Sequence, residues 1–387
     1  MSRINVLHVV DSLERGGLER VVVDLAIAQC GRGHGAAVFS LNATEGLAPE
    51  LHAAGVPVVV GSKSRCADFG VLRALRRGVH ELGVQVVHAH SFVPTCYAAA
   101  ALCGLRRRVA LVATCHDMGQ RLARPTLRRR WRWALRYVQG VAMVGRQVHD
   151  HYVASGLVPA TKAVVVSNAI PLARFAPGAE GTPGTDDAQR RTQARAALGL
   201  PCDGPVIGCV GRLVALKNHR LVLHVLPALL ARWPALRLVL IGDGECEAAL
   251  RAQAASLGVA QQVVFAGARG NVAQLLPALD VFVLPSLTEG LSIALLEAAA
   301  CALPIVASAV GGNPEIVRSG DTGLLVPSDD AAALRDAVDH LLSHPQARRA
   351  MGQRARAWVQ VHGSIDALCD AYDAFYRRGT GVRLPPA

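Results

Sequence analysis

The chain has 387 residues, 51% hydrophobic and 18% charged, which describes a globular protein long enough for two domains with separate cores. Neither of its most apolar stretches, residues 95–105 and 291–310, supplies the ~20 uninterrupted apolar residues of a spanning helix. The ten cysteines form no C-x-x-C pair and no short secreted framework, and Cys30, Cys103, Cys209 and Cys301, in apolar surroundings, are expected as small buried hydrophobes in a reducing cytosol. The formal net charge of +12 is uneven: residues 1–180 carry 22 Lys and Arg against 11 Asp and Glu, residues 181–387 carry 19 against 18.

The first predicted element is the apolar run 4–10, too short for a signal peptide and followed by Asp11. Short, continuously apolar runs recur at 84–90, 109–115, 205–211, 236–242 and 281–286, with helical stretches between them. Strands of this kind are buried on both faces, so the fold class is predicted as α/β with parallel sheets. After the first strand, Gly16 and Gly17 precede a helix predicted from about Leu18. Two glycines let backbone amides approach a ligand and the helix N-terminus favours an anion, although a glycine pair there is also an ordinary turn.

From Arg106 to Arg146 the chain holds eleven arginines against the single acid Asp117, interleaved with Trp131, Trp133 and Tyr137. Leu127, Trp131, Leu135 and Val138 are spaced to form one apolar face on a basic helix, which either lies in an anionic membrane surface or faces the core. Residues 176–191, rich in Gly, Pro, Thr and Asp, read as a linker, with a helix predicted from Gln189 to Leu198. The same grammar of strand, loop and helix then repeats. The predicted organisation is a first domain at 1–170, a linker and connecting helix at 171–204, a second domain at 205–362, and a C-terminal helix at 363–387 packing back on the first domain.

In the second half a strand ends at Gly211 and is followed by Arg212 and Lys217, a fork and a point charge that can hold a diphosphate from two directions, or else two solvated cations. The stretch PSLTEGLSIALLEAAACALPIVAS then places Glu289 at the carboxyl end of a parallel strand, where α/β sheets bind ligands. Glu297 lies roughly two turns down a helix predicted from about Ser292. A ligand with hydroxyls at both ends and a diphosphate between fits the two carboxylates, and nucleotide sugars have that shape. The amides of Gly290, Leu291 and Ser292 would face the phosphates.

Gly16-Gly17-Leu18-Glu19, His116-Asp117, Gly211-Arg212 with Lys217, the Glu289-x7-Glu297 pair and the GGNPEIV stretch at 311–317 together resemble glycosyltransferase family 4, in that family's order and over nearly the whole chain. The resemblance implies a GT-B fold, two Rossmann-like parallel-sheet domains facing across a cleft, the first for the acceptor and the second for the donor. It implies that Arg212 and Lys217 bind the donor diphosphate, Glu289 the sugar hydroxyls, Glu297 the ribose, and His116 the donor sugar near the reaction centre. It further implies a retaining enzyme that needs no metal or other cofactor, and the sequence has no Asp-x-Asp. The donor is expected to be a UDP- or GDP-sugar. The acceptor is expected to be a glycan or a polyprenyl-diphosphate-linked saccharide of exopolysaccharide or envelope assembly, met in the cytoplasm or on the inner face of the cytoplasmic membrane. Two positions depart from the family pattern: Asn168-Ala169-Ile170-Pro171 stands where Asn-Gly-Val-Asp is frequent, and Ala302 where Gly is common.

Three rivals use other features. A metal-dependent hydrolase would use His88 and His90, two apart at a strand end, but needs further ligands. A nucleic-acid binder would use the basic, aromatic-interleaved segment and leaves both glutamates unexplained; no nucleic acid is expected. A nucleotide-sugar epimerase of the same fold would need no acceptor.

Overall fold

The computed structural model describes residues 3–43, 46–63, 68–105, 109–177 and 186–380. The chain divides into two compact units, residues 1–169 with 365–387, and residues 170–364. Each is built on one parallel sheet. The first contains β1 (Asn5–Val10), β2 (Gly35–Ser40), β3 (Val58–Val60), β4 (Val86–His90), β5 (Ala110–Cys115), β6 (Val138–Met143) and β7 (Ala163–Val165), in the order β3-β2-β1-β4-β5-β6-β7. The second contains β8 (Val206–Val210), β9 (Arg237–Ile241), β10 (Val263–Gly267), β11 (Val281–Leu284), β12 (Ile305–Ser308) and β13 (Gly323–Val326), in the order β10-β9-β8-β11-β12-β13.

Central strands such as β4, β5, β11 and β12 are buried at every residue, the outcome their unbroken apolar runs predict. In the second unit Ile207, Leu238 and Val283 from the sheet pack with Leu226, Leu334 and Met351 from its helices. Part of the first core joins Val10 and Val38 to Val22 and Leu51. In each sheet the strand order reverses at one place, between β1 and β4 in the first and between β8 and β11 in the second. Ligands of open parallel sheets bind beyond the carboxyl ends of the strands at such a reversal.

The C-terminal helix Ile365–Thr380 belongs to the first unit. Arg32 bonds Asp366 and Asp370 on it, and Phe375 lies so close to Gly140 of β6 that a Cβ there would stand 2.8 Å from its ring. The helix expected from Gln189 as a connection runs from Asp186 to Ala197 and is part of the second unit. Its Arg191 and Arg195 reach the buried Asp280 at 2.8 and 3.2 Å, and Asp280 also accepts from the Val206 amide at 2.7 Å. Arg348, on the helix Pro345–His362, stands 3.6 Å away from the same carboxylate. The linker stretch 178–185 lies outside the described residues.

The apolar face expected on a membrane-seeking helix is turned inward. The helix Pro125–Ala134 ends before Leu135, and Val138 already opens β6. Trp131, Leu135 and Val138 are buried in the first unit, and the Trp131 indole donates to the Leu157 carbonyl at 2.9 Å. Trp131, Leu135 and Val138 therefore belong to the domain core, and of the four side chains of that face only Leu127 is half-buried rather than buried. Arg106 to Arg108 of the basic segment lie outside the described residues. Among the described residues no helix is long and apolar enough to cross a membrane. Ala302 sits at φ 56°, the left-handed region, which explains the family's frequent glycine there; alanine costs roughly 1 kcal/mol in that conformation.

Asp280 gathers two helices and a strand onto one buried carboxylate. Asp280→Ala leaves the guanidinium groups of Arg191, Arg195 and Arg348 without this counter-charge and is expected to cost about 3–5 kcal/mol. A urea midpoint that barely moves would show that the carboxylate is dispensable to the second unit.

Candidate active site

In the second unit the functional side chains stand at the carboxyl ends of β8 and β11. Glu289 follows β11, and its Oε1 accepts from Lys217 Nζ at 2.6 Å and from Ser286 Oγ at 2.6 Å. The glutamate side chain is 9% exposed and the lysine 22%, so the pair is mostly shielded from water. Lys217 comes from the loop after β8, 72 residues earlier in sequence. Sequence reasoning gave the two residues separate tasks; the structure joins them as an ion pair. Arg212 in the same loop is exposed and makes no side-chain hydrogen bond or ion pair among the described residues.

Backbone approaches that only glycine permits hold both loops. A Cβ on Gly242, at φ 141°, would stand 2.0 Å from the Gly211 carbonyl oxygen, so the turn after β9 presses directly on the Gly211-Arg212 turn. Gly311, at φ 54°, leaves no room for a Cβ against the carbonyl oxygen of Glu289, and the Gly312 amide donates to the Gly290 carbonyl at 2.6 Å. The start of GGNPEIV therefore supports the glutamate loop. Gly242 was not singled out from the sequence; its signal was the Gly-x-Gly pattern after the strand that ends at Ile241.

The helix following Glu289 runs from Ile293 to Ala300, with Ser292 at its N-cap. The amides of Gly290 and Ser292 donate no hydrogen bond among the described residues, and Ser292 Oγ is buried without a partner. Leu291 packs against Gly312, where a Cβ would meet its Cδ1 at 2.6 Å. This is a short helix N-terminus with free donors beside a lysine, an arginine and a carboxylate, an arrangement suited to an anionic ligand that also carries hydroxyls. Glu297 lies on the same helix and is half-buried.

In the first unit the helix Gly17–Gly31 begins at an extended Gly16. The Glu19 carboxylate folds over Gly16, with Oε2 only 2.3 Å from where a Cβ would stand. The negative charge favoured at this N-terminus is thus supplied by the chain itself. His116 directly follows β5, is half-buried, and places Nε2 3.0 Å from His90 Nδ1. Its neighbour Asp117 is exposed and caps the turn by accepting from the Gly119 amide at 2.7 Å. Ser91, between β4 and the next helix, is held at φ 69°, a strained conformation of the kind that gathers at functional sites.

The hydrolase rival's His88 and His90 are joined by His8, and one ring nitrogen from each of the three lies within 4.8 Å of the other two. Both nitrogens of each ring are already hydrogen-bonded: His8 to His90 and Gln29, His88 to Tyr376 and Thr114, His90 to His8 and His116. His8 was missed from the sequence because a histidine inside an apolar strand reads there as an isolated polar residue. Burial lowers His8 to about 4 and His116 to about 3, and holds His88 and His90 well below the ordinary 6.5.

Two family patterns match the chain, "Glycosyltransferase Family 4" over residues 15–174 and "Glycosyl transferases group 1" over residues 190–358. A D-inositol 3-phosphate glycosyltransferase of Actinosynnema mirum is 34% identical over 402 aligned positions, covering 92% of each chain. The chain belongs to glycosyltransferase family 4. Another family relative, the GDP-mannose-dependent alpha-(1-6)-phosphatidylinositol monomannoside mannosyltransferase of Mycolicibacterium smegmatis, is 40% identical over 197 residues, 48% of each chain. That match spans about half of the relative's length. The fold is shared with the crystal structure of Anabaena Alr3699/HepE in complex with UDP and glucose, at TM-score 0.85 and 21% identity, covering 97% of this chain and 100% of that one. Both sheets thus follow the GT-B pattern of two Rossmann-like domains.

Two outcomes are expected from these geometries. A double-mutant cycle with Lys217→Ala and Glu289→Gln is expected to give a coupling of about 0.5–3 kcal/mol in stability, as for groups in direct contact; additive losses would mean that the pair is not formed in solution. The buried histidines bind fewer protons folded than unfolded below pH 6.5, so their contribution is complete above that value and is lost as pH falls toward 4. The urea midpoint should therefore drop between pH 7.5 and pH 5, and a flat profile would contradict a neutral buried cluster.

Proposed function

We propose that the chain is a retaining glycosyltransferase that moves a hexose from a nucleoside-diphosphate sugar to a glycan or lipid-linked glycan, acting at the cytoplasmic side of envelope assembly. The observation that carries this reading is the group of Lys217, Glu289 and Arg212 at the β8/β11 strand ends beside the unsatisfied amides of Gly290 and Ser292. The names of two relatives agree with it, one specifying GDP-mannose as donor and a mannosylated phosphoinositide as acceptor, the other an inositol phosphate. The solved complex with UDP and glucose agrees with it for the donor class.

In this reading Arg212, Lys217 and the helix amides receive the charge that develops on the leaving diphosphate, the kind of preorganised stabilisation that dominates many enzymes. A phosphate arriving at Lys217 competes with Glu289 for the ammonium, and the released carboxylate is then free to accept from sugar hydroxyls. Glu297 takes the ribose hydroxyls. His116 takes a hydroxyl of the transferred sugar. The anomeric carbon gains oxocarbenium character as the diphosphate departs, and the acceptor hydroxyl attacks from the same face while giving its proton to the leaving phosphate. No enzyme nucleophile and no metal is assigned; metal independence is what the family resemblance implies, and the sequence has no Asp-x-Asp.

Thermal-shift titration with UDP, GDP, UDP-glucose and GDP-mannose separates the donors. Selective binding at a hundredfold excess over Kd stabilises by about 2.7 kcal/mol, and Arg212→Ala is expected to weaken that binding at least tenfold. Proton NMR of the product should show the donor's anomeric configuration preserved. Stabilisation by none of the four ligands would remove the donor-site reading, and an inverted product would remove the mechanism.

A further inference from the structure

Behind His116 the interior of the first unit is a continuous column of hydrogen-bonded side chains that the transfer chemistry above leaves unused. It runs from Gln29, fully buried on the helix Gly17–Gly31, through His8 on β1 and His90 on β4 to His116. Its contacts are 2.7 Å from Gln29 Oε1 to His8 Nε2, 3.1 Å from His8 Nδ1 to His90 Nε2, and 3.0 Å from His90 Nδ1 to His116 Nε2.

Counting protons restricts what this column can be. A neutral imidazole has one N–H and one lone pair, and burial keeps these rings neutral at pH 7. Each ring-to-ring contact needs one proton. His90 cannot donate on both sides without becoming a cation, nor accept on both sides without becoming an anion. It donates on one side and accepts on the other, so the three rings must point the same way along the column, in one of two directions.

Gln29 selects between them. Its Oε1 faces His8 at 2.7 Å, a short distance that suits N–H···O, while its Nε2 donates to the Tyr376 hydroxyl at 3.4 Å. Tyr376 in turn lies 2.8 Å from His88 Nδ1, so its own proton has an acceptor there. An amide oxygen only accepts. The proton of His8 is therefore on Nε2, His90 donates from Nε2 to His8, and His116 donates from Nε2 to His90. The remaining ring nitrogen, His116 Nδ1, is left as a lone pair, and it makes no hydrogen bond among the described residues.

We propose that Gln29 is a positioning residue that fixes the tautomer of His116 through His8 and His90, so that Nδ1 accepts a hydrogen bond from a hydroxyl of the transferred sugar. The second half of this statement rests on the glycosyl-transfer reading; the tautomer itself does not. A divalent cation among His8, His88 and His90 is the competing arrangement. It would claim the lone pairs of His8 Nδ1 and His90 Nε2, move the His90 proton to Nδ1 and reverse His116. The three buried imidazoles offer it no compensating carboxylate, and their six ring nitrogens are already occupied.

The test is long-range proton–nitrogen NMR of the imidazoles in the full chain at pH 7, with His116 assigned by its loss in His116→Gln. The expected wild-type pattern is Nε2–H at His8, His90 and His116. Gln29→Met keeps the volume but removes the acceptor, and is expected to draw the His116 nitrogens toward averaged shifts and to lower kcat about tenfold. An Nδ1–H tautomer at His116, a pattern unchanged in Gln29→Met, or a stoichiometric metal in the purified protein would each overturn the proposal. The wild-type spectrum decides the tautomer even where the variant does not fold. Because that spectrum is read without substrate, failure to detect sugar transfer would fall on the functional reading, while an intact kcat in Gln29→Met with an altered tautomer would remove only the sugar contact.

Discussion

A parallel sheet with helices on both faces has no wet surface along its strands, so polar chemistry is confined to the strand ends and to whatever the interior can neutralise or hydrogen-bond. Both units obey this constraint. In the second, the strand order reverses between β8 and β11, and the loops that leave these two strands carry Arg212, Lys217 and Glu289. In the first it reverses between β1 and β4, and the imidazoles of His8 and His90 stand on those two strands. The placement of chemistry follows from topology before any particular side chain is considered.

What differs between the two units is how the polar groups are kept. The second keeps a charge of each sign in contact, Lys217 against Glu289. Its loops are fixed from outside by backbone contacts at Gly242 and Gly311 that a Cβ would forbid, so the pair is positioned by main chain more than by side-chain packing. The first unit keeps its polar groups uncharged. Burial removes the second proton from each histidine, and the neutral rings of His8 and His90 then find partners for both nitrogens in each other, Gln29 and His116. Asp280 shows a third solution, a buried charge compensated by more than one guanidinium and placed at the amino ends of β8 and β11, opposite the carboxyl ends, where it serves the fold.

Local pattern carried a large share of this protein. Unbroken apolar runs gave the central strands, because a strand buried on both faces needs no partner to be recognised. The lengths and turns around Gly16, Gly211 and Glu289 gave the loops, and two helix starts fell within one residue of their expected positions, Gly17 for Leu18 and Ile293 for Ser292. The order of those loops also gave the family. What the pattern could not give was partnership. Leu127, Trp131, Leu135 and Val138 have the spacing of an amphipathic helix whether the apolar side meets lipid or core; only the packing showed Trp131 bonded to Leu157 within the domain. Lys217 and Glu289 are 72 residues apart, and His8 and His90 are 82 apart. Such pairs form because β8 lies beside β11 and β1 beside β4, and strand adjacency is settled by the packing of whole crossovers, which no short window of sequence contains.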